Sequence, residues 1–265
     1  MSGMRSLIIG SSAMVLAFLV LPLLVVVPLS FTDSQFLMFP IPALSTRWYA
    51  VVLGSAVWAE AFANSALIAL LTTALATTLG TLAAVGITTT RFHGQAIVMA
   101  MLVSPLFVPV IVAAVGLFYV YAQLGLSASY AGLVLAHTML ALPFVFLTVL
   151  ATLSGYDRTL TRAALILGAT PLQAFRLVML PVIRPGVVAG ALFAFVTSLD
   201  EVVVTLFVGA PSIRMLSREI LNGSQENLSP AIAAVATLLI LFSAVLMAIV
   251  EALRRRGARL RGIAP

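Results

Sequence analysis

Two adjacent carboxylates, Asp200 and Glu201, lie inside an otherwise apolar stretch of the sequence. A charged side chain near the centre of a bilayer costs about 2.5–3.5 kcal/mol on insertion scales, so such residues usually face water and serve a function. No arginine lies in the long apolar stretches to neutralise the pair. We therefore interpret Asp200, Glu201 and the nearby Ser198 as candidates for the path of a cation. The alternative is a structural acid that is hydrogen-bonded by Ser198 and Thr197.

One aromatic ring and one imidazole could take part in the same chemistry. Tyr119, near the end of another apolar stretch, offers a ring face for a cation–π contact with an amine. Anchoring at the membrane interface is the alternative for this tyrosine. His137 also lies in an apolar stretch, and we interpret it as a hydrogen-bonded packing residue rather than a proton relay.

The residue types that the chain lacks limit its chemistry. All 14 basic residues are arginine, there is no cysteine, and the two histidines are His93 and His137. These counts argue against a histidine-based metal site. They exclude a disulfide, a Schiff-base lysine and a Gly-x-x-x-x-Gly-Lys phosphate loop. If ATP drives this protein, another chain must bind the nucleotide.

The composition is that of a membrane protein. Hydrophobic residues make up 62% of the chain and charged residues 8%, against about 45–50% and about 25% in soluble domains. These fractions exclude a soluble globule and a disordered chain. Because a membrane-crossing helix needs about 20 apolar residues, the sequence predicts an all-α polytopic membrane protein. We expect a single transmembrane domain over residues 1–265, with spans near 7–29, 65–88, 96–121, 131–153, 186–208 and 231–252.

The arginines favour one orientation of these spans. Six spans put both termini on the same side, and eleven arginines then fall on that side against three, Arg47, Arg214 and Arg218, on the other. Because positively charged loops tend to stay in the cytoplasm, we expect both termini to be cytoplasmic. The net charge of +6 follows from these loops and needs no nucleic-acid partner.

Small residues and prolines in the spans predict where helices approach closely or bend. Small residues at a spacing of four let helices pack closely in lipid, and they occur at Ala76, Gly80, Ala84, Gly186, Gly190 and Ala194. Pro105 and Pro109 each remove a backbone donor, so we expect the third span to bend there.

The longest predicted cytoplasmic loop, residues 155–185, begins with a short helix. Asp157 or Thr159 can accept hydrogen bonds from the free backbone N–H groups at the start of this helix. Gly168 can adopt the left-handed backbone conformation that commonly ends a helix. The pattern predicts a helix that starts near Asp157 and stops at Gly168.

A second short helix is predicted in the same loop. Thr170 is a favourable N-cap, and Pro171 suits the first helical position, where its missing N–H costs nothing. We expect Leu180-Pro181 to end this helix before the fifth span begins near residue 186. The loop would then form two short helices at the membrane surface, joined by a sharp turn.

These residues resemble a signature of the membrane subunits of binding-protein-dependent ABC importers. That signature is Glu-Ala-Ala, three residues, glycine, nine residues, and then Ile-x-Leu-Pro. The present chain has Arg162-Ala163-Ala164, three residues, Gly168, nine residues, and then Val178-Met179-Leu180-Pro181. The spacing is the same throughout, and the departure is Arg162 where the family has glutamate.

The resemblance implies a type I ABC importer permease fold with a cytoplasmic coupling helix in the loop 155–185. It implies that Arg162, Ala163, Ala164, Gly168, Leu180 and Pro181 contact an ATPase subunit. ATP and magnesium would then be bound by two partner ATPase subunits and not by this chain. A second permease subunit, a periplasmic or lipoprotein substrate-binding protein and the lipid of the bacterial inner membrane complete the implied partners.

The stretch from Ser198 to Pro211 is similar to the polyamine branch of this family, in particular to the second permease subunit of spermidine/putrescine importers. A carboxylate pair suits a cationic amine and repels an anion. Permeases for other amino compounds or opines share this region, so they stay open as alternatives. A secondary transporter or channel that works alone is a further alternative, but it leaves the coupling signature unexplained.

The missing lysine and phosphate loop lead to the first prediction. We expect the purified chain, without partners, to hydrolyse no ATP above the background of an empty-membrane preparation. A coupled-enzyme assay of phosphate release would measure this. Hydrolysis that disappears when a residue of this chain is mutated would contradict the prediction.

Overall fold

The computed structural model of this chain describes residues 2–226 and 229–260. All regular structure in these residues is helical, apart from one isolated antiparallel bridge between Thr32 and Leu44. The chain divides into two compact units, residues 1–59 with 220–265 (unit 1) and residues 60–219 (unit 2). The single transmembrane domain over residues 1–265 stays a prediction.

The helices follow one another in the order α1 Ser2–Leu29, α2 Arg47–Gly54, α3 Ala56–Thr89, α4 Gln95–Val103, α5 Val110–Leu124, α6 Tyr130–Ser154, α7 Arg158–Ile166, α8 Pro171–Ala174, α9 Leu180–Asp200, α10 Val203–Val208, α11 Leu216–Glu226 and α12 Pro230–Leu260. A short 3₁₀ turn, Ser104–Leu106, follows α4, and a π-helical turn, Phe175–Met179, joins α8 to α9.

Four of these helical segments are long and apolar enough to cross a membrane, namely Met4–Leu29, Ala56–Thr89, Tyr130–Ser154 and Pro171–Asp200. The count is five if α4 and α5 together form one bent span. The helix α12 begins one residue before the predicted sixth span, and its apolar part over the described side chains, Pro230–Leu246, is shorter. The fourth predicted span, 131–153, agrees with α6 to within one residue at each end.

The third predicted span, 96–121, is two helices rather than one bent helix. The axes of Gln95–Leu106 and Val110–Leu124 differ by 105°. Pro105 lies in the 3₁₀ turn, and Pro109 is the N-cap of α5. Both prolines therefore lie where the helix is interrupted, because neither can donate a backbone hydrogen bond to continue it.

The fifth predicted span, 186–208, differs from the structure at both ends. The chain is helical without interruption from Pro171 to Asp200, so Leu180-Pro181 does not end the second loop helix. The wide turn Phe175–Met179 precedes Pro181 and shifts the hydrogen-bond pattern, which lets the helix continue past a residue that lacks an N–H. At the other end, the helix stops at Asp200, eight residues before the predicted end.

Unit 1 holds α1, α2 and α12 together with the connecting segment after α1. The hydroxyls of Ser30 and Tyr49 are 2.6 Å apart, and the indole N–H of Trp48 donates to the carbonyl oxygen of Ser34. The guanidinium of Arg47 lies 4.9 Å from the centre of the Trp48 ring. Trp48 and Tyr49 thus tie α2 to the segment that precedes it.

In unit 2, α6 packs against α3 and α9 with almost no space between the helices. A Cβ atom at Gly80 would lie 2.9 Å from Cβ of Val145, and one at Gly190 would lie 3.0 Å from Cα of the same valine. Ala76, Ala84 and Ala194 are fully buried. The predicted close approach at small residues spaced four apart is therefore confirmed, since α6 contacts two glycines at one valine.

The helices α6 and α9 run antiparallel along the length of unit 2. Thr152 of α6 lies against Gly186 near the start of α9, and His137 of α6 lies against Ser198 near its end. We call the end with residues 155–170 the loop end and the end where α9 stops the acid end. One helix pair thus connects the two places where the sequence predicts function.

This packing leads to a prediction for Gly190. We expect Gly190→Leu to lower the thermal midpoint of the purified chain in detergent, because the side chain would overlap the backbone of α6; overpacking costs about 1–3 kcal/mol or more. Gly86→Leu is the matched control, because Gly86 is also inside a helix and a Cβ there meets nothing within 4 Å. Equal midpoints for the two variants would contradict the packing argument.

Candidate functional sites at the two ends of unit 2

At the loop end, a carboxylate begins α7. The Asp157 side chain accepts a hydrogen bond of 2.9 Å from the backbone N–H of Thr159, which confirms Asp157 rather than Thr159 as the cap. Hydrogen bonds from Thr159, first its side chain and then its backbone, hold the pKa of this carboxyl below its ordinary value because they favour the ionised form.

The turn after α7 has the predicted left-handed glycine. Gly168 has φ +89, and the N–H groups of Gly168 and Ala169 donate to the carbonyls of Leu165 and Ala164. Thr170 then accepts from the backbone N–H of Gln173, while the Gln173 side chain accepts from the N–H of Thr170. This reciprocal capping box fixes where the next helix starts, so the elbow between the two helices is rigid.

The signature residues lie on both sides of this elbow. Arg162 and Ala163 are exposed on α7, Ala164 is half-buried, and Gly168 is exposed at the turn. Leu180 and Pro181 are instead the first two residues of α9. This corrects the expectation that they end a separate helix at the membrane surface.

The elbow is anchored to the core of unit 2. The hydroxyl of Tyr156 lies 2.6 Å from that of Thr161 on α7. The Tyr156 ring is buried in a cluster with Leu153, Met179 and Ile183, which belong to α6, the π-helical turn and α9. A force applied to α7 would therefore reach the pair α6–α9 directly.

The loop end also exposes apolar side chains that the sequence analysis did not single out. Ile166 and Leu167, just before Gly168, are 85% and 87% exposed. Exposed apolar side chains outside the membrane-crossing helices are typical of a protein interface. In the sequence, this exposed surface is marked only by two aliphatic residues directly before the left-handed Gly168.

At the acid end, the carboxylate pair lies at a helix break and not inside a helix. The helix α9 ends at Asp200, Glu201 has the extended backbone angles φ −74 and ψ 107, and α10 begins at Val203. Asp200 is exposed and Glu201 is half-buried. This corrects the expectation that both acids belong to one continuous span.

Glu201 is held by several hydrogen bonds at this break. Its carboxylate Oε1 accepts from the backbone N–H of Val204 at 2.9 Å, so the side chain caps the short helix α10. Its carbonyl oxygen accepts from the hydroxyls of Thr205, at 2.8 Å, and Ser217, at 3.1 Å. The conformation of Glu201 is therefore set by two neighbouring helices.

No cation within the described residues neutralises the acid pair. The ion pairs found there join Arg214 to Glu60 at 3.4 Å and to Glu219 at 3.8 Å, and neither involves Asp200 or Glu201. These pairs are partly exposed and contribute little stability. They hold Arg214, the arginine nearest in sequence, away from the acid pair, which has no ion-pair partner in the described part of the chain.

The other two predicted path residues have different surroundings. Ser198 is buried, and its hydroxyl lies 2.9 Å from Nδ1 of His137. Tyr119 is 64% exposed on α5. Because α5 packs on α10 through Ala114 and Tyr121, and Tyr119 is about 200° around the helix from Tyr121, its ring points away from α10. A cation–π contact of Tyr119 stays a prediction.

The predicted role of His137 as a hydrogen-bonded packing residue is confirmed, because both ring nitrogens have hydroxyl partners in a fully buried setting. The partner Thr205 and the acceptor role of the Glu201 carbonyl were not predicted from the sequence. Across the described residues, no three histidine, cysteine or acidic side chains lie close enough together to hold a metal ion.

Comparison with known proteins identifies the family. Residues 76–259 match the family described as the binding-protein-dependent transport system inner membrane component. The spermidine/putrescine transport system permease protein PotC of Escherichia coli strain K12 is 32% identical over 238 residues, which cover 90% of each chain. The putrescine transport system permease protein PotI of the same strain is 32% identical over 230 residues, covering 84% of this chain and 82% of PotI.

A solved structure shows the same fold. A bacterial alginate ABC transporter, crystallised in complex with an alginate pentasaccharide-bound periplasmic protein, contains a chain that superposes with a TM-score of 0.68 at 17% identity. The match covers 97% of the present chain and 93% of that chain. The helical architecture and the family match lead to one conclusion: this chain is a type I ABC importer permease and belongs to the family of binding-protein-dependent transport system inner membrane components.

Proposed function

We propose that this permease, with a second homologous permease subunit, forms the path of a small cationic amine, a polyamine such as spermidine or putrescine. The observation that carries this proposal is the uncompensated acid pair at the α9–α10 break. The relatives support the same solute class, since PotC and PotI are named as spermidine/putrescine and putrescine permeases.

The electrostatics of the break suit an ammonium group. The C-terminal end of α9 carries partial negative charge on its last carbonyls, and interrupted helices use such ends to hold cations in transporters. The carboxylate of Asp200 adds a full charge at the same position. An ammonium can donate three hydrogen bonds, which carbonyl and carboxylate oxygens accept, whereas an anion would be repelled.

The fold by itself does not select this solute. A transporter of similar fold imports the acidic polysaccharide alginate, so the solute charge has to be inferred from side chains of the present chain. Asp200 and Glu201 favour an amine. Permeases for other amino compounds or opines remain the alternative, and a panel of labelled solutes distinguishes them in the uptake assay below.

We infer that the solute moves by alternating access, driven by two ATPase subunits that bind ATP and magnesium. The elbow around Gly168 would dock on an ATPase subunit through Ile166, Leu167 and the surface of α7. A substrate-binding protein would deliver the amine to the acid end. With the arginine-rich loops inside, the loop end and both termini lie in the cytoplasm of a bacterial cell, and the chain lies in its inner membrane.

The proposal predicts the effect of neutralising the acids. In the complete transporter with its partner chains in proteoliposomes, we expect Asp200→Asn or Glu201→Gln to reduce uptake of labelled putrescine at least about tenfold. A hydrogen bond to a charged group contributes about 1.5–3 kcal/mol. Both amides keep the size of the side chain, and the amide oxygen in Glu201→Gln can still accept from Val204. Assembly and basal ATP hydrolysis should not change.

Glu60→Gln is the matched control for these variants, because Glu60 is a carboxylate on α3 whose partner is Arg214. We expect this variant to transport at the wild-type rate. If Asp200→Asn, Glu201→Gln and their double variant also transport putrescine at the wild-type rate, the pair is structural and the cationic-solute proposal is wrong.

A second prediction concerns coupling. We expect Gly168→Leu to leave membrane insertion intact but to abolish uptake driven by ATP, because a side chain at φ +89 costs about 1–2 kcal/mol in backbone strain and moves the elbow. Gly155→Leu is the control, since Gly155 has φ −94. Uptake per ATP hydrolysed measures the effect.

A charge reversal at Arg162 tests the same contact between the elbow and the ATPase subunit. Because the family signature has glutamate at this position, we propose an acidic partner for Arg162 on the ATPase subunit, and we expect Arg162→Glu to weaken co-purification of that subunit. Full uptake per ATP in Gly168→Leu together with unchanged co-purification in Arg162→Glu would refute the coupling assignment.

A further inference from the structure

His137 connects the two helices that meet at the break. It is fully buried on α6, and its two ring nitrogens contact different helices. Nδ1 lies 2.9 Å from the hydroxyl of Ser198, in the last turn of α9, and Nε2 lies 3.3 Å from the hydroxyl of Thr205 on α10. One imidazole therefore spans the interruption between Ser198 and Thr205.

The contacts of Thr205 extend this connection to Glu201. The Thr205 hydroxyl donates to the carbonyl of Glu201 at 2.8 Å, and its oxygen can accept from Nε2–H of His137 in the tautomer that carries the proton on Nε2. In that tautomer Nδ1 accepts from the Ser198 hydroxyl. The result is one continuous chain of donors and acceptors from Ser198 through His137 and Thr205 to Glu201.

This chain ends on the residue whose charge the proposed function uses. The carbonyl of Glu201 receives the hydroxyl of Thr205, and the carboxylate of Glu201 receives the N–H of Val204. Glu201 lies between the end of α9 and the start of α10. The hydroxyls of Thr205 and Ser217 hold its carbonyl there, and His137 contacts the first of these two hydroxyls.

We propose that His137 is a positioning residue for transport: through Thr205 it fixes the backbone of Glu201 and so aims the acid pair at the amine. This inference rests on the proposed function. It assigns no proton transfer to the histidine and no contact between its ring and the solute. The positioning role explains why a polar imidazole occupies a buried place on α6 where an aliphatic side chain would fill the same volume.

The two contacts of the imidazole can be separated by substitution. Asparagine places its amide near the position of Nδ1 and can keep the contact with Ser198, while glutamine reaches the position of Nε2 and can keep the contact with Thr205. If His137 positions Glu201 through Thr205, His137→Asn should lose solute uptake and His137→Gln should retain it. Likewise, Thr205→Val removes the connecting hydroxyl and Thr205→Ser keeps it.

The test uses the complete transporter in proteoliposomes, labelled putrescine and saturating loaded binding protein, with uptake normalised to assembled complex. We expect His137→Asn and Thr205→Val to reduce uptake about tenfold, since each leaves a buried polar group without its partner. His137→Gln and Thr205→Ser should stay within about twofold of wild type. Thr138→Val, which removes a buried hydroxyl from the next residue of α6, is the control and should not reduce uptake.

A double variant separates positioning from general stability. If His137 acts through Glu201, His137→Asn should reduce uptake no further in a Glu201→Gln background, because interacting residues are not additive. Three results would each overturn the inference while the proposed function stands. They are a further loss of uptake when His137→Asn is added to Glu201→Gln, wild-type uptake in His137→Asn alone, and reduced uptake in Thr205→Ser. Wild-type uptake by Glu201→Gln alone would contradict the proposed function and this inference with it.

Discussion

The close contact of α6 with α3 and α9 at Val145 is the constraint on which the rest of unit 2 depends. Gly80 and Gly190 have no side chain to hold the helices apart, so the backbones touch and dispersion contacts replace the missing hydrophobic drive between helices in lipid. The contact also sets the register of α6 against α9. That register brings Thr152 to Gly186 at one end and His137 to Ser198 at the other.

Irregular backbone in an apolar environment must find other partners for its N–H and carbonyl groups. The α9–α10 break satisfies this requirement with side chains: the Glu201 carboxylate accepts from Val204, and hydroxyls of Thr205 and Ser217 donate to its carbonyl. The same residues leave Asp200 exposed at the helix end. The interruption is thus stable and carries negative charge, which is the combination that a cation pathway needs.

The two ends of unit 2 have opposite chemistry and share one pair of helices. The loop end presents aliphatic side chains and arginines around a rigid elbow, whereas the acid end presents Asp200 and Glu201, for which no ion pair is found among the described residues. Because α6 and α9 run through both ends, the proposed docking of an ATPase subunit at the elbow would act on the proposed solute path through one pair of packed helices.

Local rules were enough to predict the membrane class, the limits of α6, the Asp157 and Thr170 caps and the left-handed Gly168, because each depends on a few adjacent residues. The elbow between α7 and α8 was predictable for the same reason. The sequence alone did not reveal that Pro181 follows a π-helical turn and lies inside a continuous helix, or that α9 ends at Asp200. At the end of α9, hydrogen bonds from His137 and Ser217 hold the break. Only the tertiary structure brings these two residues there, because they lie far from Glu201 in sequence.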